Sequence, residues 1–399
     1  MSALPLTALA TLFFLLFPAT IRAQWDLEDS HTTDSLRGID NVGGGVAWAS
    51  GTNGTVLRTE DGGYLWQTCS MPPGAEKLDF RGIQAFDENT AIVMSSGKGD
   101  LSRLYKTTDG CQTWKLVFKN PDKDGFWDAI HFYRGQSLSS GHSRSEDALR
   151  RNISRTSGML IGDPVDGAFA VFSTADGGDT WHQWGNDPGT RRPKARVGES
   201  LFAASNSSIV SPAINGQYCF VTGGKGGSRL LFEQGHSPFD LSSWEAFSSA
   251  TLPMPSSESG GAFSIARQKE AAGVAGHFVI VGGNYANPNT GAAAFAYEPK
   301  MLSRVRIRPS KTPPHGYRSA VAYDTDHKLW ITVGPNGTDI SNDDGRNWRP
   351  LTPSAQDAPD ADRNWNALSL PFVVGPNGRI GRLNTAELPE TPKPSQPVR

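Results

Sequence analysis

The chain has 399 residues, a formal net charge of −2 and 37% hydrophobic residues, enough for a substantial core in one large or two ordinary domains. That near balance of charge leaves no electrostatic basis for binding nucleic acid or a membrane surface. The 44 glycines and 27 prolines favour turns and short strands over long helices.

In chain order, the first element is an apolar run from Leu4 to Phe17, broken by Pro18 and followed by a small residue, Ala23, before Gln24. It reads as a signal peptide over 1–23, because a bilayer span needs about 20 apolar residues. Secretion or a periplasmic location follows as an expectation. No later stretch is apolar enough to span a bilayer.

An eight-residue pattern then organises the chain. It runs from Thr59 through Asp61 and Gly63 to Trp66, and again from Thr107 through Asp109 and Cys111 to Trp114. Two further copies run from Thr174 through Asp176 and Gly178 to Trp181, and from Ser341 through Asp343 and Gly345 to Trp348, with a worn version at 237–244. The carboxylate is suited to accept turn N–H groups, the glycine to supply a positive φ, and the tryptophan to bury its ring against the preceding hairpin. These aspartates therefore read as turn-formers. Cys111 departs from the pattern, which predicts a strained or differently shaped turn there.

Each pattern lies between β-like runs, and four short antiparallel strands recur as one unit that must stack on its neighbours to bury its faces. First strands are expected near Arg37, Arg81, Asp128, Glu199, Phe263, Arg318 and Asn366. The fold class predicted is all-β: a seven-bladed β-propeller of four-stranded antiparallel blades over 24–384. The last blade lacks its fourth strand, which the mature N-terminal strand from Trp25 would supply, closing the ring. Residues 385–399 are Pro-rich and polar and are expected to form a disordered tail. Segments 134–157 and 184–197 read as exposed insertions.

Three cysteines are too few for a disulfide scaffold. Cys69 and Cys111, in neighbouring repeats, are the better pair for one bridge, and three buried thiols are the alternative. The histidines lack metal-ligand spacing, and no dinucleotide or phosphate-loop motif is present, so neither metal nor cofactor is expected. Asn53, Asn152, Asn206 and Asn336 begin glycosylation sequons.

The repeated turns, together with Phe80-Arg81-Gly82-Ile83, the stretch from Gly162 to Gly167 and the stretch from Gly316 to Tyr323, resemble secreted bacterial propellers similar to the photosystem II stability/assembly factor, which carry the BNR repeat. The resemblance implies seven blades and brings no settled catalytic residues.

If the seven strand starts face one channel, Arg37, Arg81, Asp128, Glu199, Arg318 and Asn366 form a polar ring beside Phe263. Three arginines there are suited to an anionic ligand, with Asp128 and Glu199 as counter-charges or a catalytic carboxylate pair. The reading preferred is a non-catalytic, monomeric scaffold for a protein or glycan. The alternative is a glycoside hydrolase, sialidase-like or xyloglucanase-like. Against the sialidase, the arginine motif lacks its proline, and Tyr317 is expected to point out of the channel.

Overall fold

The computed structural model describes residues 24–133, 157–186, 190–211, 218–233, 247–268, 276–297, 305–351, 360–385 and 388. The segment expected to be a signal peptide, the worn repeat at 237–244 and most of the 134–157 insertion lie outside them.

Seven antiparallel sheets are arranged as the blades of a propeller. Their innermost strands are Leu36–Gly43, Phe80–Ala85, Trp127–Phe132, Ile209–Val210, Gly260–Gln268, Ala320–Asp324 and Ala367–Ser369. Each lies against the next, and the seventh lies against the first. Along every blade the apolar faces alternate with the pleat, so each face packs on the neighbouring blade and the core becomes a series of inter-blade clusters.

The ring closes as the sequence predicts. Trp25–Glu28 pairs antiparallel with Ile380–Leu383, Trp25 opposite Leu383. The Trp25 indole is buried, donates to Thr338 Oγ1 at 3.1 Å and Asp362 Oδ1 at 3.2 Å, and sits 5.9 Å from the Trp365 ring. Leu388, assigned from sequence to a disordered tail, is buried in this same cluster.

The four repeated turns share one geometry. Asp61, Asp109, Asp176 and Asp343 each accept the backbone N–H four residues on, at 2.9–3.0 Å, and the hydroxyl two residues before. That hydroxyl in turn accepts the N–H of Gly63, Cys111, Gly178 or Gly345 at 3.0–3.1 Å. Trp66, Trp114, Trp181 and Trp348 are all buried behind their turns. All four positions after the hairpin carry positive φ, and the Cys111 turn is not reshaped: its φ is 64° and its hydrogen bonds match the others. At Gly178 an added Cβ would strike Ile92 and Phe132 of the neighbouring packing. Cys111 is accommodated because its sulfur joins Cys69, whose Cα is 5.3 Å away, linking the first and second blades.

Two expectations about organisation are corrected. The fourth blade does not begin at Glu199: Glu199–Ser200 pairs with Gly223–Gly224 on the inner edge of the fifth blade's sheet, making that sheet six-stranded. The 184–197 segment is not simply a solvated loop, since Trp184 is buried and Lys194 bridges to Ala168 of the third blade.

Candidate functional site

The site begins with a repeated irregularity. The innermost strand of four blades shifts register near its start, between Leu36 and Gly38, Phe80 and Gly82, Trp127 and Ala129, and Ala262 and Ser264. The extra residue in each case is Arg37, Arg81, Asp128 or Phe263. A bulge re-aims its side chain out of the regular alternation, and all four of these residues line one cavity at the channel mouth where the innermost strands start. A further shift, between Gly162 and Pro164, presents Asp163 to the same space.

The channel is not open from end to end. Having left the Glu199 strand, the chain crosses the bore before entering the fourth blade. Ser205 Oγ donates to Ser319 O at 2.7 Å, Asn206 Oδ1 accepts from Ile130 N at 2.8 Å, and Ser207 Oγ donates to Ser264 Oγ at 2.7 Å. These bonds tie the crossing segment to the sixth, third and fifth blades, and Asn206 Nδ2 reaches Ile83 O of the second at 3.2 Å. Asn206 therefore has its amide committed inside the channel, which removes it as a glycosylation site in the folded chain. The segment divides the bore into a near cavity of about 510 Å³ and a far cavity of about 470 Å³, the latter bordered by Asp40, Gln84 and His131.

In the near cavity Arg37 and Arg81 share a single carboxylate. Arg81 Nε donates to Asp79 Oδ2 at 2.8 Å, while Arg37 Nε lies 3.8 Å from Asp79 Oδ1. Arg37 Nε has no hydrogen-bond partner among the described residues. The two side chains are 32% and 30% exposed, and Arg81 Nη1 also donates to the Ala203 carbonyl of the crossing segment at 3.3 Å. Burial, opposed by Asp79 and reinforced by the like charge of Arg81, pulls the Arg37 guanidinium below its ordinary value.

Asp128 is 1% exposed and its Oδ2 has no hydrogen-bond partner among the described residues. Burial, and after it the Asp163 carboxylate, push Asp128 well above the usual carboxylate range against the pull of Arg81. Burial also raises Asp163, although it accepts the Leu201 N–H at 2.8 Å. The cavity thus presents two cationic forks, a buried carboxyl group that favours its protonated form, and an aromatic side composed of Phe202, Phe263, Tyr285 and Tyr317.

Of the ring expected from sequence, Arg37, Arg81, Asp128, Phe263 and Asn366 come together. Asn366 also serves closure, donating to Leu36 O of the first blade at 2.7 Å. Glu199 and Arg318 do not join them. Glu199 is buried beneath Arg229, accepting its Nε at 2.8 Å and its Nη2 at 2.6 Å, with Thr222 Oγ1 at 2.6 Å. Arg318 is fully buried inside the sixth blade, donating from Nε to Asp339 Oδ2 at 2.7 Å and from Nη1 to Tyr317 O at 2.9 Å. The residues on either side of it, Tyr317 and Ser319, line the cavity instead.

The reason is a one-residue slip, which turns every side chain to the other face. The bulged positions precede a small residue and then an aliphatic one, as in Arg37-Gly38-Ile39 and Asp128-Ala129-Ile130. Ser319-Ala320-Val321 keeps that frame and Arg318 does not. Tyr317, expected to leave the channel, faces it. Asp79 was missed although it stands two residues before Arg81, on the same side of an extended chain. Phe202 carries no sequence signal, because its position depends on the crossing segment.

No family model matches the chain, and no curated protein matches it. Its likeness is to solved propellers. YCF48 from Cyanidioschyzon merolae superposes with a TM-score of 0.57 at 17% identity, over 91% of this chain and 100% of that one. A structure described as YCF48 bound to D1 peptide gives 0.54 at 16%, over 92% and 96%. The GH74 xyloglucanase from Xanthomonas campestris gives 0.54 at 14%, over 92% of this chain but 54% of that one. At these identities the likeness supports the seven-bladed fold.

Proposed function

We propose that the protein is a secreted, non-catalytic binding or assembly scaffold whose near cavity receives a carboxylate-bearing part of a partner protein. The observation that carries this reading is the pair Arg37 and Arg81 beside one shared carboxylate: with Asp79 and the Ala203 carbonyl as their acceptors, two guanidinium forks retain donors for a second anion. Support comes from the structural likeness to a propeller solved with a peptide bound. The Cys69–Cys111 disulfide fits an oxidising compartment outside the cytosol. Among the described residues no helix is long and apolar enough to cross a membrane.

The test uses propionate as the simplest probe, followed by NMR of the full chain. Saturable binding that Arg81→Ala weakens by at least about tenfold, with unfolding temperature nearly unchanged, supports the reading. Binding indifferent to Arg81 overturns it. Mass spectrometry of secreted material should give a mature chain beginning at Gln24.

Glycoside hydrolysis is the second reading. It no longer has Glu199 as partner to Asp128 and rests on Asp163, a second carboxyl lining the cavity. Turnover of fluorogenic sialosides or glucans that Asp128→Asn abolishes would establish it, and silence across that panel favours the scaffold.

A further inference from the structure

One side of the near cavity is aromatic to a degree that anion binding does not use. The Phe263 ring is buried and stacks on Phe202 at 4.1 Å with an interplanar angle of 11°. Tyr317 meets Phe263 edge-on at 4.7 Å. Tyr285 stands edge-on to both phenylalanines, at 6.1 and 6.2 Å, and is 53% exposed. Phe202 is itself only half-buried, although it sits on the crossing segment that the blades hold so firmly.

This aromatic side and the two arginines line the same cavity. Burial keeps the Tyr317 phenol protonated far above its ordinary value, so it offers the cavity a neutral ring. One enclosure of about 510 Å³ therefore holds guanidinium forks and accessible ring surface together, within the size range of small-ligand sites.

We infer that the near cavity selects a carboxylate carrying an aromatic ring a few bonds away, its carboxylate on Arg37 and Arg81 and its ring against Phe202 and Tyr285. This rests on the anion-binding reading above and adds the class of anion. The same chemistry occurs in a free aryl acid and at the end of a polypeptide that finishes in phenylalanine. Ring-on-ring contact adds to the area buried, and an acetate-sized anion would leave the aromatic side wet.

The experiment compares propionate, hydrocinnamate and 3-phenylpropan-1-ol on the full chain by calorimetry or ligand-observed NMR. Hydrocinnamate should bind about tenfold or more tighter than propionate, and the alcohol should bind far more weakly than hydrocinnamate. Tyr285→Ser and Phe202→Leu should bring hydrocinnamate down toward propionate while leaving propionate unchanged. The exposed Tyr285 provides the variant that does not disturb folding.

Equal binding of propionate and hydrocinnamate would overturn ring selection and leave the anion site standing. Equal binding of hydrocinnamate and the alcohol would overturn the anion site and this inference with it, as would no binding by any probe. An N-acetyl-Gly-Gly-Phe peptide, as free acid and as amide, separates the two sources. A free-acid peptide that outbinds hydrocinnamate assigns a chain end, and the reverse assigns a small aryl acid.

Discussion

At the scale of single residues, two arginines that look alike in the sequence have opposite duties. Arg81 is partly exposed and leans on one carboxylate; Arg318 has no exposed surface and is bonded to Asp339, which also accepts from His315 Nδ1 at 2.9 Å. Removing one member of a buried pair leaves an uncompensated charge, at a cost of about 3–5 kcal/mol. Arg318→Ala should therefore lower the denaturation midpoint sharply, whereas Arg81→Ala should shift it little and act on ligand affinity; chemical denaturation of both variants decides this. Glu233 gives a second, pH-dependent case. Burial raises its carboxyl from an ordinary 4.5 to about 7, the Tyr218 N–H at 3.1 Å pulling it back. Its folded value exceeds its unfolded one, so the protonated group's contribution is fully present below pH 4.5 and is lost as pH rises through about 7. Glu233→Gln keeps an acceptor for Tyr218 and should stabilise the fold at pH 8 by about 1–3 kcal/mol, with little effect at pH 4. A gain equal at both pH values would contradict it.

At the scale of elements, the tight turns were legible because their chemistry is local: hydroxyl, carboxylate, positive-φ residue and indole all act within eight residues. Asp176→Ala should cost about 0.5–1.5 kcal/mol by removing the acceptor that the exposed N–H groups of Asp179 and Thr180 share, read from the unfolding midpoint. The innermost strands were legible only where a small residue and an aliphatic one fixed the frame, as at Arg37, Arg81 and Asp128. At Arg318 a serine lies between the arginine and Ala320, and the frame moved by one. At Glu199 the obstacle was different. The crossing segment is held by serine and asparagine side chains whose partners lie 57–123 residues away, and no local pattern reports bonds of that span. Asn206→Ala removes the bonds to two blades at once and should loosen the barrier. Faster amide exchange at Ile130, whose N–H Asn206 accepts, is the measurement, and unchanged protection there would show the segment to be held by other means.

At the scale of the whole molecule, closure is the decisive feature. Trp25 is buried against Thr338, Asp362 and Trp365. Trp25→Ala should cost about 3–5 kcal/mol and, if the ring is one cooperative unit, should lower a single unfolding transition; a split into two transitions would show that the seventh blade melts alone. The near cavity lies where the seventh blade meets the first: Asn366 and Arg37 line it from those two blades, and Asn366 bonds across to Leu36 O. The seam also has a temporal side. Trp25 and its partner Leu383 lie on either side of the seven blades in the sequence, so the opening strand has an unpaired edge until the last strand of the seventh blade has been made. Its short span of four residues limits how readily a stray strand from another molecule can claim that edge during the wait.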